Sequence, residues 1–252
     1  MTDFDPTPAA DVLLEARRTG ARPADLPEAC RPRTEAQARA VQDAVARRLG
    51  PVVAWKVGAP GPSAAPNRAP LHADTVSEAD TLPASRFAVI GAEAEIAYRL
   101  GRDLPPEGAP YDRETVLAAV AALHPVIEIA DTRFSAFGAA DPLSQRADQQ
   151  NHGALVVGPA LAAWRGLDPE TQPVRLRIDG RVVHEGVGGN VAGDPVRLLV
   201  WLANEGATSL GGLKAGQVVT TGSCTGTIFV DPGARIEAEL PGLGHVAVTV
   251  AA

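Results

Sequence analysis

Apolar positions along the chain change period several times, and each change marks an element. Residues 11–19 (DVLLEARRT) form a short amphipathic stretch closed by Gly20. A longer one runs over Glu35–Leu49, where Ala36, Ala40, Val41, Ala44, Val45 and Leu49 share a helix face. Thr34 and Gln37 have the spacing of a capping box, and Gly50-Pro51 stops the run. Strand patterns follow at 52–57, 87–100, 126–130 and 154–157, and again at 217–221, 235–240 and 245–250. Asp179-Gly180, between two alternating segments, predicts a hairpin. Asp112 is expected to cap a helix reaching Leu123, and Asp194-Pro195 to open another with its body over 196–204. Residues 59–86 and 134–152 carry no period, so the first is expected to be a long loop or lid over a site and the second a polar loop. The pattern predicts an α+β fold dominated by strands, with a helical portion over residues 1–50 and a β-rich domain over 51–252.

The stretch 87–100, FAVIGAEAEIAYRL, places the first chemistry on this framework. Glu93 and Glu95 are two apart and therefore share one strand face, while Ala94, Ile96 and Tyr98 take the other. Two adjacent carboxylates repel unless something positive stands between them, and a hard divalent cation with oxygen ligands would do so. Glu128, in HPVIEIAD, is a third carboxylate in an apolar run. Spacing alone leaves two readings open, solvated strand faces or a shared cation site. Lys56 lies in the apolar strand VVAWKVG, and the only other lysine is Lys214; every other basic residue apart from histidine is arginine. A lysine there either snorkels from an edge strand or supplies a titratable ammonium that arginine cannot imitate.

Composition removes several function classes. A net charge of −7 argues against nucleic-acid and anionic-membrane partners. No apolar run approaches the roughly 18–20 residues that span a bilayer, and the acidic opening MTDFDPTPAA has no signal-peptide core. Cys30 and Cys224 stand far apart in no metal-binding spacing, as expected in a reducing cytoplasm. GGLKAG at 211–216 lacks the strand and helix context of a phosphate loop.

Six stretches in register carry a family resemblance: WKVG (55–58), EAEIAYRLGRDL (93–104), VIEIADTRF (126–134), DQQNHGALVVG (148–158), WLAN (201–204) and LKAGQVVTTGSCTG (213–226). Together they resemble the 2-keto-4-pentenoate hydratase/4-oxalocrotonate decarboxylase group of the fumarylacetoacetate hydrolase superfamily. The resemblance implies a mixed β-roll core with an N-terminal helical portion, assembled as a homo-oligomer. It further implies Mg²⁺ or Mn²⁺ held by Glu93, Glu95 and Glu128, and Lys56 as the active-site lysine. The loop Gly222–Gly226 would offer Ser223 and Thr225 to a substrate carboxylate, and Asn151 and His152 stand where relatives often carry Asn-Ala-Ser-Ser-Gly. Where hydratases commonly show Pro-Asp-x-Gly in a mobile loop, this chain has Pro66-Asn67-Arg68-Ala69, and an amide cannot act as a general acid or base. His72 or Asp74, a few residues on, would take that part.

The implied substrate is a small 2-hydroxy-dienoate or its 2-keto tautomer from aromatic catabolism, and the implied reaction is its hydration to a 4-hydroxy-2-oxo acid. A 4-oxalocrotonate-type decarboxylase is the close rival, with Arg68 reading the extra carboxylate. An acylpyruvate C–C hydrolase is a third reading, and a catalytically inactive partner subunit complexed with a related pathway enzyme a fourth. Bland readings stand beside these. Arg68, His72 and His152 can be solvated loop residues, Ser223 and Thr225 ordinary turn hydroxyls, and Cys224 a packing residue.

Overall fold

The computed structural model describes residues 4–252. Helix α1 (Thr7–Thr19) ends on Gly20, whose φ of 74° is the left-handed turn that glycine tolerates. Helix α2 (Glu35–Leu49) is capped by the Thr34 side chain, which accepts from Gln37 N at 3.2 Å. Strands β1 (Val52–Gly58), β2 (Asn67–His72), β3 (Val76–Ser77), β4 (Thr81–Pro83) and β5 (Ile90–Leu100) follow. Helix α3 (Arg113–Ala119) then leads into β6 (Val120–Ala130), and α4 (Pro142–Ala147) precedes β7 (His152–Val157). The hairpin is β8 (Pro173–Ile178) and β9 (Arg181–Val187), and α5 (Pro195–Trp201) continues into one π turn, Leu202–Gly206. The chain closes with β10 (Val218–Thr220), β11 (Ile228–Val230), β12 (Arg235–Leu240) and β13 (Gly244–Ala251).

Two sheets result, as an α+β architecture. One has eight strands in the order β2-β1-β10-β5-β6-β7-β3, with β11 also on β5; the other has the order β4-β13-β12-β8-β9. The main core fills the space between them, with Trp55, Ile96, Tyr98, Ile127 and Ile129 from the first meeting Leu176, Ile236, Val248 and Val250 from the second. A smaller core of Ala54, Leu71, Ala97, Val126, Leu155 and Val218 lines the opposite face of the first sheet. Strand alternation places Lys56, Glu95 and Glu128 in line with Ala54, Ala97 and Val126, so the charged residues sit at one end of this small apolar layer. A third cluster joins α1 and α2 to Phe134, Ala140 and Ala147. Among the described residues, no helix is long and apolar enough to cross a membrane.

Three expected boundaries are corrected. Residues 67–72 of the expected lid form β2, an ordered strand paired with β1 and buried along its whole length. NRAPLH shows no alternation because both of its faces are covered. The helix expected to reach Leu123 stops at Ala119, since residues from Val120 onward pair with the far end of the eleven-residue β5. The polar loop 134–152 contains α4, whose Asp141-Pro142 start is the same signal as Asp194-Pro195.

Candidate active site

Antiparallel register sets Glu93 opposite Glu128 across β5 and β6, with Glu95 one same-face position along. One carboxylate oxygen from each of the three lies within 4.8 Å of the others. Glu95 and Glu128 are each 1% exposed, and Glu93 is partly exposed. The parallel strand β1 brings Lys56 alongside: Nζ lies 2.6 Å from Glu128 Oε1 and donates to Gln150 O at 3.1 Å.

Each carboxylate is held differently. Glu95 Oε2 accepts from the Thr220 hydroxyl and from Gly222 N at 3.0 Å. Thr227 Oγ1 donates to Glu93. Glu128 Oε1 accepts from Lys56 and, at 2.9 Å, from His152 Nδ1, while its Oε2 is buried with no partner. Burial, joined by the charges of Glu128 and Glu93, pushes the Glu95 carboxyl up to about 8. Burial and Glu128 likewise raise Glu93. At Glu128 the upward push of burial is overcome by Lys56 and His152, and the group stays below its ordinary value. Burial would lower Lys56, but the three glutamates outweigh it and keep the ammonium charged. His152 is fully buried and pushed down to about 4, hence neutral; its Nδ1–H donates to Glu128 and its Nε2 lies 3.1 Å from Thr75 Oγ1.

Three crowded carboxylates and one orphaned, buried carboxylate oxygen fit a hard divalent cation, which takes oxygen ligands and supplies the missing partner.

Lys56 is coupled to a turn of unusual backbone. Gln149, Gln150 and Asn151 all have positive φ (47°, 53° and 59°), a left-handed run without glycine. Arg133 brackets this run, binding Asp148 before it and His152 O after it. Gln149 anchors it by donating to Pro70 O at 2.7 Å. The turn thereby points Gln150 O at Lys56 and sets Gln150 and Asn151 in the wall of a cleft of about 440 Å³. Asn67, Gln145, Arg146 and the Gly58–Pro60 end of β1 line the rest.

Of the expected site residues, the structure brings Lys56, Glu93, Glu95 and Glu128 together and sets Asn67 and Asn151 in the adjoining cleft. Of the others, His152, Ser223 and Thr225 belong to segments that touch the trio's strands, whereas Arg68, His72 and Asp74 make their contacts away from it. Arg68 is 1% exposed and spent on Asp43 at 2.6 Å, Gln42 at 3.0 Å and Gly206 O at 2.8 Å, so it reads no substrate. His72 pairs with Val52, four residues from Lys56 along β1, and its Nδ1 faces Pro51 O at 3.2 Å. Asp74 is an exposed residue beyond the end of β2 and gives its carbonyl to Arg86. Neither His72 nor Asp74 lines the cleft. His152 supports Glu128 from behind, shut off from solvent. Thr225 Oγ1 accepts from Ala94 N at 3.1 Å and ties its loop to β5, while Ser223 Oγ accepts from Thr225 N at 3.2 Å within the loop. Burial pushes the Cys224 thiol up to about 12, in keeping with a packing role. Sequence reasoning missed Thr220, Thr227 and Gly222 N as carboxylate partners; TTGSCTGT was legible as a hydroxyl-rich loop, but which hydroxyls reach the glutamates depends on register.

Known proteins place this arrangement. Residues 61–251 match the family model for the fumarylacetoacetate (FAA) hydrolase C-terminal region, a span that begins after Lys56. A 2-keto-4-pentenoate hydratase from Paraburkholderia xenovorans (strain LB400) is 31% identical over 169 residues, 67% of this chain and 62% of that protein. A 4-oxalocrotonate decarboxylase from Pseudomonas sp is 31% identical over 175 residues, 68% of this chain and 64% of the relative. These matches thus span a little under two thirds of the relatives' own length. The structure of 4-oxalocrotonate decarboxylase from Pseudomonas putida G7, complexed with magnesium and adipate, superposes with a TM-score of 0.84 at 25% identity, covering 97% of each chain. The chain belongs to the fumarylacetoacetate hydrolase family.

Proposed function

We propose that this chain is a divalent-cation-dependent lyase that hydrates a 2-hydroxy-2,4-dienoate to a 4-hydroxy-2-oxo acid. The observation that carries the reading is the trio Glu93, Glu95 and Glu128, with its unpartnered Glu128 Oε2, beside Lys56, whose ammonium contacts Gln150 O in the wall of a cleft. Mg²⁺ or Mn²⁺ held by the three glutamates would supply Lewis-acid stabilisation of enolate charge. Lys56 keeps its proton, and of its three N–H donors one goes to Glu128 and one to Gln150 O. The third is available to a substrate oxygen or carboxylate. His152 holds Glu128 in place without exposing a proton to the cleft. Asn67 and Asn151 offer amides that can orient water but cannot exchange its proton.

Decarboxylation of a related diacid is a second reading of the same centre, favoured by Arg146 in the cleft wall. The intact trio and Lys56 speak for an active subunit over an inert partner. Homo-oligomeric assembly and association with a related pathway enzyme complete the proposal. Two unpaired, buried cysteines and a net charge of −7 support a place in the cytoplasm.

Chelator-stripped protein mixed with 2-hydroxypenta-2,4-dienoate tests the reading. Loss of the dienoate ultraviolet band only after Mg²⁺ or Mn²⁺ is added, with 4-hydroxy-2-oxopentanoate formed, is the expected result. A protein that binds Mn²⁺ yet leaves the band intact would overturn hydration.

A further inference from the structure

Lys56 donates to Gln150 O, and that carbonyl sits in the middle of the left-handed run at Gln149–Asn151. Residues other than glycine hold such a run only where surrounding contacts enforce it. Arg133 grips the two flanks, Asp148 and His152. The run itself is anchored through Gln149, whose side chain is buried between two partners. Its Nε2 donates to Pro70 O on β2, in the register pair next to Lys56–Ala69. Its Oε1 accepts from Arg17 Nη2, in the last turn of α1. The amide is fixed from both sides, and Gln149 straps the turn between α1 and the strand beside Lys56.

Arg17 gains little else from this position. It is partly buried, its Nε is enclosed without a hydrogen-bond partner, and among the described residues its guanidinium makes no ion pair. Burial and the neighbouring Arg133 pull it down to about 10, still charged at neutral pH. Arg18 shows the ordinary use of such a helix end, an exposed pair with Glu15. Nor does α1 need Arg17 to dock, because Ala9, Ala10 and Leu13 already pack with Phe134, Ala140 and Ala147. A charge held at a desolvation cost against one neutral amide points to a role beyond stability.

We infer that α1 belongs to the catalytic apparatus, with Arg17 the positioning residue that, through Gln149, holds the left-handed turn and so fixes Lys56. This deepens the lyase reading above, on which the catalytic part of Lys56 rests, and brings in a helix outside the residues that match the family model.

The test exploits Lys56 and Lys214 being the only lysines of the intact protein. Limited acetylation by acetic anhydride, read by peptide mass, compares the 15% exposed Lys56 with the 50% exposed Lys214 as internal reference. Arg17→Met is expected to raise the Lys56-to-Lys214 labelling ratio by roughly threefold or more, as the Gln150 carbonyl withdraws. Its kcat on 2-hydroxypenta-2,4-dienoate with Mg²⁺ should fall roughly tenfold at little-changed KM, the scale of a displaced catalytic group. Its Tm should stay within about 3 °C of wild type, since the lost charge had no ion-pair partner. Arg17→Lys, which keeps a charged donor, should recover part of both the ratio and the rate. Gln150→Gly removes the side chain that resists the left-handed conformation, so adding Arg17→Met to it should change ratio and kcat by less than about twofold. Equal effects of Arg17→Met with and without Gln150→Gly overturn the inference, as does an unchanged labelling ratio. An Arg17→Met protein that unfolds or melts well below wild type also overturns it, because Arg17 would then be holding the fold. Failure of the lyase reading is distinct: wild type would leave the dienoate unconverted, while the labelling ratios would still decide the part Arg17 plays.

Discussion

Glu93 and Glu128 stand directly opposite each other in the β5–β6 register, a like-charge cross-strand pair that destabilises a sheet unless a cation joins it. Neutralising one partner should therefore act with opposite signs on fold and on function. Glu93→Gln is expected to raise the Tm of chelator-treated protein by a few degrees, as relief of roughly 1 kcal/mol of repulsion would. The same change should weaken Mn²⁺ binding at least tenfold, on the order of one lost charged ligand. Thermal scans in chelator and a Mn²⁺ titration check both halves. If the glutamates were merely solvated strand faces, neither measurement would move.

Metal-free protein should also lose stability as pH rises through the neutral range. Burial, with Glu128 and Glu93 beside it, holds the Glu95 carboxyl at about 8 in the folded state against an ordinary 4.5. Between those values the folded state binds more protons than the unfolded one, so stability falls from pH 4.5 to about 8, by a total on the order of a few kcal/mol. Saturating Mg²⁺ favours the ionised carboxylates and should flatten or reverse that slope. Denaturant titrations at several pH values, with and without Mg²⁺, give the comparison, and Glu95→Gln should remove the effect in chelator.

Lys56 separates cation binding from turnover. Its ammonium contacts Glu128 Oε1 and leaves Oε2 unpartnered, so it shares the trio with a cation rather than filling the cation's place. Lys56→Ala removes a positive charge from the neighbourhood, and Mn²⁺ should bind as tightly as in wild type or more so. Turnover of the dienoate should fall by about 10²–10⁴, the usual range for a lost proton-bearing group. Weaker Mn²⁺ binding in this variant would show that Lys56 organises the carboxylates instead.

Asn67 gives a gain-of-function test. It lies at the end of β2 opposite Gly58 and lines the cleft, which neither His72 nor Asp74 does. Asn67→Asp restores a titratable group there and should speed hydration of 2-hydroxypenta-2,4-dienoate, by roughly tenfold or more if proton transfer limits the wild type. Steady-state rates at saturating Mg²⁺ decide it; an unchanged rate would mean that proton transfer is served without this position.

The shared face of Glu93 and Glu95 was legible because strand alternation fixes which face a side chain takes, while Glu128 joined them only through the family resemblance. Glu93 and Glu95 declare their shared face in one heptapeptide, and Lys56 stands out in an arginine-rich chain. What pairs across strands was not legible. Nothing local sets Thr220 rather than Thr225 beside a glutamate, because β10 reaches β5 from more than a hundred residues away. NRAPLH read as loop because both of its faces are covered and no alternation survives, which made two buried residues, Arg68 and His72, look available. The left-handed run at Gln149–Asn151 had no signal at all, since it contains no glycine and is held by Arg133 and Pro70 from elsewhere in the chain.

Arg68 offers the sharpest check on that correction. The guanidinium binds Asp43 at 2.6 Å, lies over the Trp55 ring at 5.4 Å from its centroid, and ties β2 to α2 and to the π turn at Gly206. Arg68→Met should destabilise the fold by about 3–5 kcal/mol, because it strands the buried Asp43 carboxylate without a charge partner. Most of that loss should return in the double variant Arg68→Met/Asp43→Leu, where the whole pair is replaced by apolar groups. A substrate-reading arginine behaves otherwise: its loss raises KM and spares the fold, and removing Asp43 as well rescues nothing. Denaturant titration of the single and double variants, with KM measured on whichever stays folded, separates the two roles.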